Sequence, residues 1–214
     1  MWLTEKIAFP NPITATEEGV LALGGDLSVE RLVLAYKSGI FPWYCEGEPI
    51  IWYCPPQRMV LFPNELKIAK SMQQILRKEN FVVTENKAFD EVIFNCKHII
   101  RKDDFGTWIT DDMEQAYMQL HRKGIATSIE VWHFDAAQQK KVLVGGLYGV
   151  DVGNGIFCGE SMFSLVSNAS KVAFIHLVKN SSYRLIDCQV YNNHLASLGA
   201  REIARKDFLE LLTT

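Results

Sequence analysis

The stretch VLVGGLYGVDVGNGIFCGESMF, residues 142–163, reads as two β-strands, Val142–Val150 and Ile156–Phe163, joined by Asp151-Val152-Gly153-Asn154-Gly155. Gly and Asn accept the positive φ that a tight hairpin demands, so this is a strong hairpin signal. A strand is expected around Ser128–Trp132 before the hairpin. After it come a helix over about 169–179, apolar on most sides and so buried, and a strand Leu185–Val190. A short helix ending at Gly199 and a last strand near Ala200–Ile203 follow.

Upstream, Thr110 is the expected N-cap of a helix with Asp111, Asp112 and Glu114 in its first turn and a buried stripe of Met113, Ala116, Tyr117 and Leu120. Arg122, Lys123 and Gly124 close it. Before that, Asn86 is expected to cap a helix whose stripe is Phe89, Val92, Ile93, Cys96 and Ile100, preceded by a short strand Phe81–Thr84. At 100° per residue, Lys67, Lys70, Gln74, Arg77 and Lys78 share one helical arc, and Ile68, Ala69, Met72, Ile75 and Leu76 share the opposite one. The order from residue 81, β-α-α-β-β-β-α-β-α-β, predicts an α/β (α+β) protein with a mixed sheet flanked by helices.

Residues 1–63 differ from the remainder, 64–214. They hold all seven prolines and three of the five tryptophans, Trp2, Trp43 and Trp52. One helix is expected there, capped by Ser28, running Val29 to Ser38 and stopped by Gly39. Pro42, Pro49, Pro55, Pro56 and Pro63 keep the rest extended or turning. This predicts a small aromatic-rich subdomain ahead of a larger one.

The chain has 214 residues, 48% apolar and 22% charged, enough apolar material for a core without staples. No apolar run reaches the roughly 18 residues of a membrane helix. The N-terminal residues carry no secretory pattern, so a cytoplasmic protein is expected. The net charge of −3 gives no overall attraction for nucleic acid, so any RNA would need a local basic patch. Five cysteines without a C-x-x-C pair argue for reduced thiols, against both a disulfide framework and a metal site.

Four groups could carry chemistry. In Leu185–Val190, period 2 puts Asp187 and Gln189 on one face, where an acid and an amide could together hold one substrate group. A buried polar pair satisfying a neighbouring loop is the other reading. The same alternation turns Cys188 away and disfavours it as a nucleophile. Glu160, on the second hairpin strand, could bind a cation or close a salt bridge within the fold. Trp43, Trp108 and the aromatics of residues 1–63 could line a pocket or pack the two units together. The basic arc of Lys67, Lys70, Arg77 and Lys78 is a phosphate-binding face or a solvated one. Gly145-Gly146-Leu147-Tyr148-Gly149 is no phosphate loop, since it lies between β residues with no Lys-Ser/Thr after it.

FPNP (9–12), LALGGDLS (21–28), AYKSGIFPWY (35–44), GTWIT (106–110), VGGLYGV (144–150), FCGESMFS (157–164), NASK (168–171) and LIDCQVYNNHLASLGA (185–200) together closely resemble the bacterial leucyl/phenylalanyl-tRNA–protein transferases. The resemblance implies a small N-terminal domain joined to an N-acetyltransferase-like (GNAT) domain. It implies transfer of Leu or Phe, sometimes Met, from aminoacyl-tRNA to the α-amine of proteins beginning with Arg or Lys, marking them for N-end rule degradation. No cofactor is implied, because the aminoacyl ester is already activated, and a monomer is expected. By the same resemblance Asp187 and Gln189 hold and help deprotonate the acceptor amine, and Glu160 recognises its cationic side chain. An Asp at its reference pKa near 3.9 is a weak base, which favours positioning over full proton abstraction. Tyr36, Trp43, Trp108, Tyr117 and Asn192 fall to the substrate cleft. Leu147, Phe174, Leu177 and Ile186 fall to the apolar pocket for the donor side chain, and Lys67, Lys70, Arg77 and Lys78 to tRNA contact. A coenzyme-A-dependent acyltransferase would need a glycine-rich loop after the 156–163 strand, where the chain has Leu165-Val166-Ser167-Asn168-Ala169-Ser170. A non-enzymatic RNA-binding module would leave Asp187, Gln189 and Glu160 idle.

Overall fold

Among the described residues, backbone hydrogen bonds sort the strands into two sheets, one of four strands and one of seven. The computed structural model describes residues 1–78, 80–99, 108–135, 137 and 139–213. In chain order the first unit comprises β1 (Trp2–Leu3), β2 (Val20–Gly24), α1 (Val29–Lys37), β3 (Phe41–Pro42) and β4 (Ile51–Tyr53). Then come β5 (Gln57–Leu61), α2 (Lys70–Arg77), β6 (Phe81–Glu85), α3 (Phe89–His98) and α4 (Asp111–Arg122). The chain continues through β7 (Ala126–Asp135), β8 (Lys140–Gly153), β9 (Ile156–Ser164), α5 (Ala169–Asn180), β10 (Leu185–Gln189), α6 (Asn193–Ala196), β11 (Arg201–Ala204) and α7 (Arg205–Thr213).

Local chemistry sets these boundaries as expected in most places. Ser28 Oγ accepts from the Arg31 N–H at the start of α1, and Gly39 leaves it at φ +74°. Thr110 Oγ1 accepts from the Met113 N–H at the start of α4. The hairpin between β8 and β9 turns through Gly153, Asn154 and Gly155, all at positive φ.

Elsewhere the structure corrects the sequence. Asn86 does not cap α3: at φ +55° it closes the turn after β6, and its Oδ1 accepts from the Ser128 N–H at 2.9 Å. Helix α3 starts after Ala88 with no side-chain cap. Helix α2 begins only at Lys70, so Lys67 precedes it. Helix α7, unexpected from sequence, buries Phe208 and packs Leu209, Leu211 and Leu212 beside it. Ile100, Gly106 and Thr107 lie outside the described residues.

The larger sheet runs β11-β5-β10-β9-β8-β7-β6. It is antiparallel except for β9 and β10, which α5 joins as a parallel pair. The expected mixed sheet flanked by helices is therefore the architecture. Strand β5, from the proline-rich first 63 residues, is inserted between β10 and β11. It lacks alternation because both faces are covered: Arg58, Met59, Val60 and Leu61 are all buried.

Two cores flank this sheet. Leu147 packs with Val172, Phe174 and Leu177 of α5 on one face. Its neighbour Tyr148 packs with α1, α3 and α4 on the other. The glycines of β8 permit close approach. A Cβ on Gly145 would stand 2.5 Å from that of Ala169, so the start of α5 rests directly on the sheet. Among the described residues no helix is long and apolar enough to cross a membrane.

Candidate active site

Strands β9 and β10 pair only from Leu185 opposite Ile156 to Asp187 opposite Cys158. Beyond that point a cleft of about 620 Å³ opens. One wall is apolar, formed by Leu147 of β8, Phe174 and Leu177 of α5, and Ile186 of β10. The opposite side presents Glu160 of β9 with Asp187 and Gln189 of β10, while Trp43, Trp108 and Asn192 also line the cleft.

Strand β10 bulges here: its register against β5 slips between Asp187 and Gln189. Gln189 sits at φ +63°, a region that side chains with a Cβ rarely adopt. The two side chains therefore do not stand side by side as simple alternation predicts. Asp187 is fully buried. Its Oδ1 accepts from Arg58 Nε at 2.8 Å and from the Gln189 N–H at 2.9 Å. Its Oδ2 accepts from Arg58 Nη2 at 2.6 Å and from Cys158 Sγ at 3.1 Å. Gln189 instead reaches across to Glu160, Nε2 donating to Oε1 at 2.7 Å.

Glu160 is 9% exposed, and Tyr117 donates to its Oε2 at 2.6 Å. Tyr117 O–H and Tyr36 O–H are themselves hydrogen-bonded at 2.5 Å. Burial pushes the Glu160 carboxyl up from 4.5 to about 7, helped by the charge of Asp187 and opposed by hydrogen bonds from Tyr117, Tyr36 and Gln189. Burial first, then the Glu160 charge, holds both tyrosines well above their ordinary range, so they remain donors. Burial does the same to the Cys158 and Cys188 thiols. Cys188 lines the cleft with Asp187 and Gln189, contrary to the alternation that turned it away, and burial keeps its thiol protonated.

The residues singled out by sequence divide by position. Trp43, Trp108, Leu147, Glu160, Phe174, Leu177, Ile186, Asp187, Gln189 and Asn192 line the cleft. Tyr36 on α1 and Tyr117 on α4 lie buried behind Glu160. Asn192 also caps α6, its Oδ1 accepting from the N–H groups of His194 and Leu195. Lys67, Lys70, Arg77 and Lys78 are exposed and lie off the cleft. The Lys67 N–H bonds the Leu198 carbonyl at 2.8 Å, tying this basic segment to the chain just after His194 and Leu195, which line the cleft. Sequence reasoning missed Arg58 and Cys158. The available signal was a lone arginine in the otherwise apolar run Arg58-Met59-Val60-Leu61.

Fold and site together define a mixed α/β protein with a two-sided cleft, one wall apolar and the other carrying a buried, hydrogen-bonded acid. Residues 60–213 match the family described as leucyl/phenylalanyl-tRNA protein transferase, and residues 25–56 match the N-terminal domain of the same family. The chain is 59% identical over 214 residues to the leucyl/phenylalanyl-tRNA–protein transferase of Flavobacterium johnsoniae, covering 99% of this chain and 98% of that protein. It is 54% identical to that of Flavobacterium psychrophilum, with the same coverage. The chain from Syntrophobacter fumaroxidans with the same name is 52% identical, covering 98% of this chain and 88% of that one. The protein belongs to the leucyl/phenylalanyl-tRNA–protein transferase family, whose members are aminoacyltransferases. Among solved structures, FemX is similar at 10% identity and a TM-score of 0.49, over 87% of this chain and 71% of that one. A GCN5-related N-acetyltransferase from Kribbella flavida is similar at 9% identity and a TM-score of 0.41, over 79% of this chain and 58% of that one.

Proposed function

We propose that the cleft joins the leucyl or phenylalanyl group of an aminoacyl-tRNA to the α-amine of a protein beginning with Arg or Lys. One observation carries the reading: a buried carboxylate, Glu160, hydrogen-bonded to Gln189, faces the same cleft as an apolar wall. The apolar wall of Leu147, Phe174, Leu177 and Ile186 takes the donor side chain. Discrimination there rests on size, worth about 1–3 kcal/mol per methylene. Glu160 takes the cationic side chain of the acceptor, since an ionised carboxylate has lone pairs left after accepting from Tyr117 and Gln189.

Because Glu160 as a carboxylate can only accept, it draws the NH₂ of Gln189 and leaves that residue's Oε1 for the acceptor amine. The neutral amine adds to the ester carbonyl and forms the C–N bond. The C–O bond to the ribose then breaks, its electron pair leaves on the ribose oxygen, and a proton from the amine ends there. Asp187 contributes electrostatics and position rather than basicity, as both its oxygens are already occupied. Trp43, Trp108 and Asn192 border the donor end, and Lys67, Lys70, Arg77 and Lys78 meet the tRNA backbone. The products are cytoplasmic proteins given a new N-terminal Leu or Phe for N-end rule degradation.

The test is transfer of radiolabelled leucine from Leu-tRNA, without ATP or coenzyme A, to peptides beginning with Arg, Lys, Asp or acetylated Arg. Labelling of the Arg and Lys peptides alone is expected. No labelling of any peptide by folded protein would overturn the reading.

A further inference from the structure

Arg58 is a cation on β5, the second strand from one edge of the larger sheet, and is 1% exposed. Its guanidinium is covered by the rings of Phe41 and Phe208, each with its centroid 4.6 Å from the guanidinium carbon. Nη1 donates to the Gly39 carbonyl at 3.2 Å, where α1 ends. Nε and Nη2 grip the two oxygens of Asp187 as a fork. One side chain thus gathers the end of α1, strand β3, strand β10 and helix α7 at the floor of the cleft.

The consequence passes along β10. Asp187 Oδ1, fixed by Arg58, also accepts the Gln189 N–H, and Gln189 holds the left-handed backbone conformation from which its amide reaches Glu160. An unfixed Asp187 carboxylate would be free to rotate, and the bulge would lose the acceptor that sustains it. We propose that Arg58 is a positioning residue of the transfer site, acting through both oxygens of Asp187 to set the bulge that aims Gln189. This rests on the transfer reading above. Arg58 is not among the residues that line the cleft, so its effect falls on the rate of the bound complex and not on affinity for Leu-tRNA. A lysine keeps the charge but cannot bridge two oxygens, reach Gly39 and stack between two rings at once.

The experiment measures leucine transfer from Leu-tRNA to an Arg-initiated peptide, with kcat and the KM of each substrate, for wild type, R58K, R58M, D187N and R58M/D187N. Thermal unfolding is recorded for each. Arg58→Lys is expected to lower kcat about 100-fold, the scale of a small misplacement near the chemistry, and leave the KM for Leu-tRNA within about threefold. The double variant is expected to be no slower than D187N within about threefold, because Arg58 acts only through Asp187. Losses in R58M and D187N that multiply in the double variant would overturn the proposal. So would R58K or R58M retaining more than about a third of kcat, a loss too small for a positioning group. Should R58M alone fail to fold, R58K with a native melting curve decides: lost kcat supports the proposal and full kcat overturns it. Failure of the transfer reading itself shows differently, as absent labelling by the wild-type protein.

Discussion

Replacing Glu160 by Gln separates two titrations that overlap in the wild-type protein. With its carboxyl at about 7, Glu160 is half-ionised at neutral pH. The acceptor α-amine, with a pKa near 8, is only about a tenth neutral there. On the proposed reading, productive encounter requires the ionised acid and the neutral amine together, so kcat/KM for the peptide follows the product of the two fractions. From pH 7 to pH 6 the ionised acid falls from about one half to about one tenth, and the neutral amine falls about ninefold. Wild-type kcat/KM should then fall about 50-fold, and that of E160Q only about ninefold. The assay is the initial rate of leucine transfer at peptide concentrations well below KM, from pH 5.5 to 8.5. At saturating peptide the bound cation holds Glu160 ionised, so the acid's limb should vanish from wild-type kcat. E160Q should also be slower at every pH, since a neutral amide offers the acceptor's cationic side chain no opposite charge. Parallel wild-type and E160Q profiles would refute the assignment of Glu160 as the cation receptor.

The same shift makes a stability prediction. Folding raises the Glu160 carboxyl from 4.5 to about 7, so its protonation favours the native state, and stability declines as pH rises through that window. The unfolding free energy of E160Q should therefore gain on wild type by up to about 3 kcal/mol between pH 4.5 and pH 8, read from urea titrations. Asp187→Ala leaves a buried guanidinium unpaired and should cost about 3–5 kcal/mol while abolishing transfer; retained tRNA binding by the folded variant is expected. Gly149→Ala places a Cβ 2.2 Å from the Cys158 carbonyl oxygen and should destabilise the sheet by about 2 kcal/mol or more, measured by denaturant unfolding. Changing Lys67, Lys70, Arg77 and Lys78 to Ala should raise the KM for Leu-tRNA and flatten its salt dependence by about one unit of slope for each phosphate no longer neutralised. The kcat at saturating tRNA should hold.

Elements governed by local rules were legible in the sequence. Ser28, Gly39, Thr110 and the Gly153–Gly155 turn act through neighbouring residues, and their boundaries fell as expected. The small sheet escaped because β1 and β3 have two residues each, too few for alternation to show. Strand β5 escaped because, covered on both faces, it has no polar period, and helix α7 because its apolar contacts lie with β5 and β11. Asn86 misled because a residue that caps helices is also one that tolerates left-handed backbone. In the site, Glu160 was singled out alone and Gln189 as the partner of Asp187. The hydrogen bond between Glu160 and Gln189 depends on a bulge, and a bulge defeats the period-2 reading of faces. Arg58 could not be joined to Asp187 by any local rule, because 129 positions separate them.

The place of β5 has a bearing on how the protein is made. Val60 pairs with Asp187 on one side and with Arg201 on the other. A chain leaving the ribosome presents β5 early and must hold it without neighbours until β10 and β11 have emerged. During synthesis Met59, Val60 and Leu61 form an unpaired apolar edge, the kind of surface that invites aggregation and chaperone capture. Closing so long a loop also places the protein among slow folders. A chain halted before β10 holds Glu160 but neither Asp187 nor Gln189, so incomplete products released by a stalled ribosome lack the proposed site.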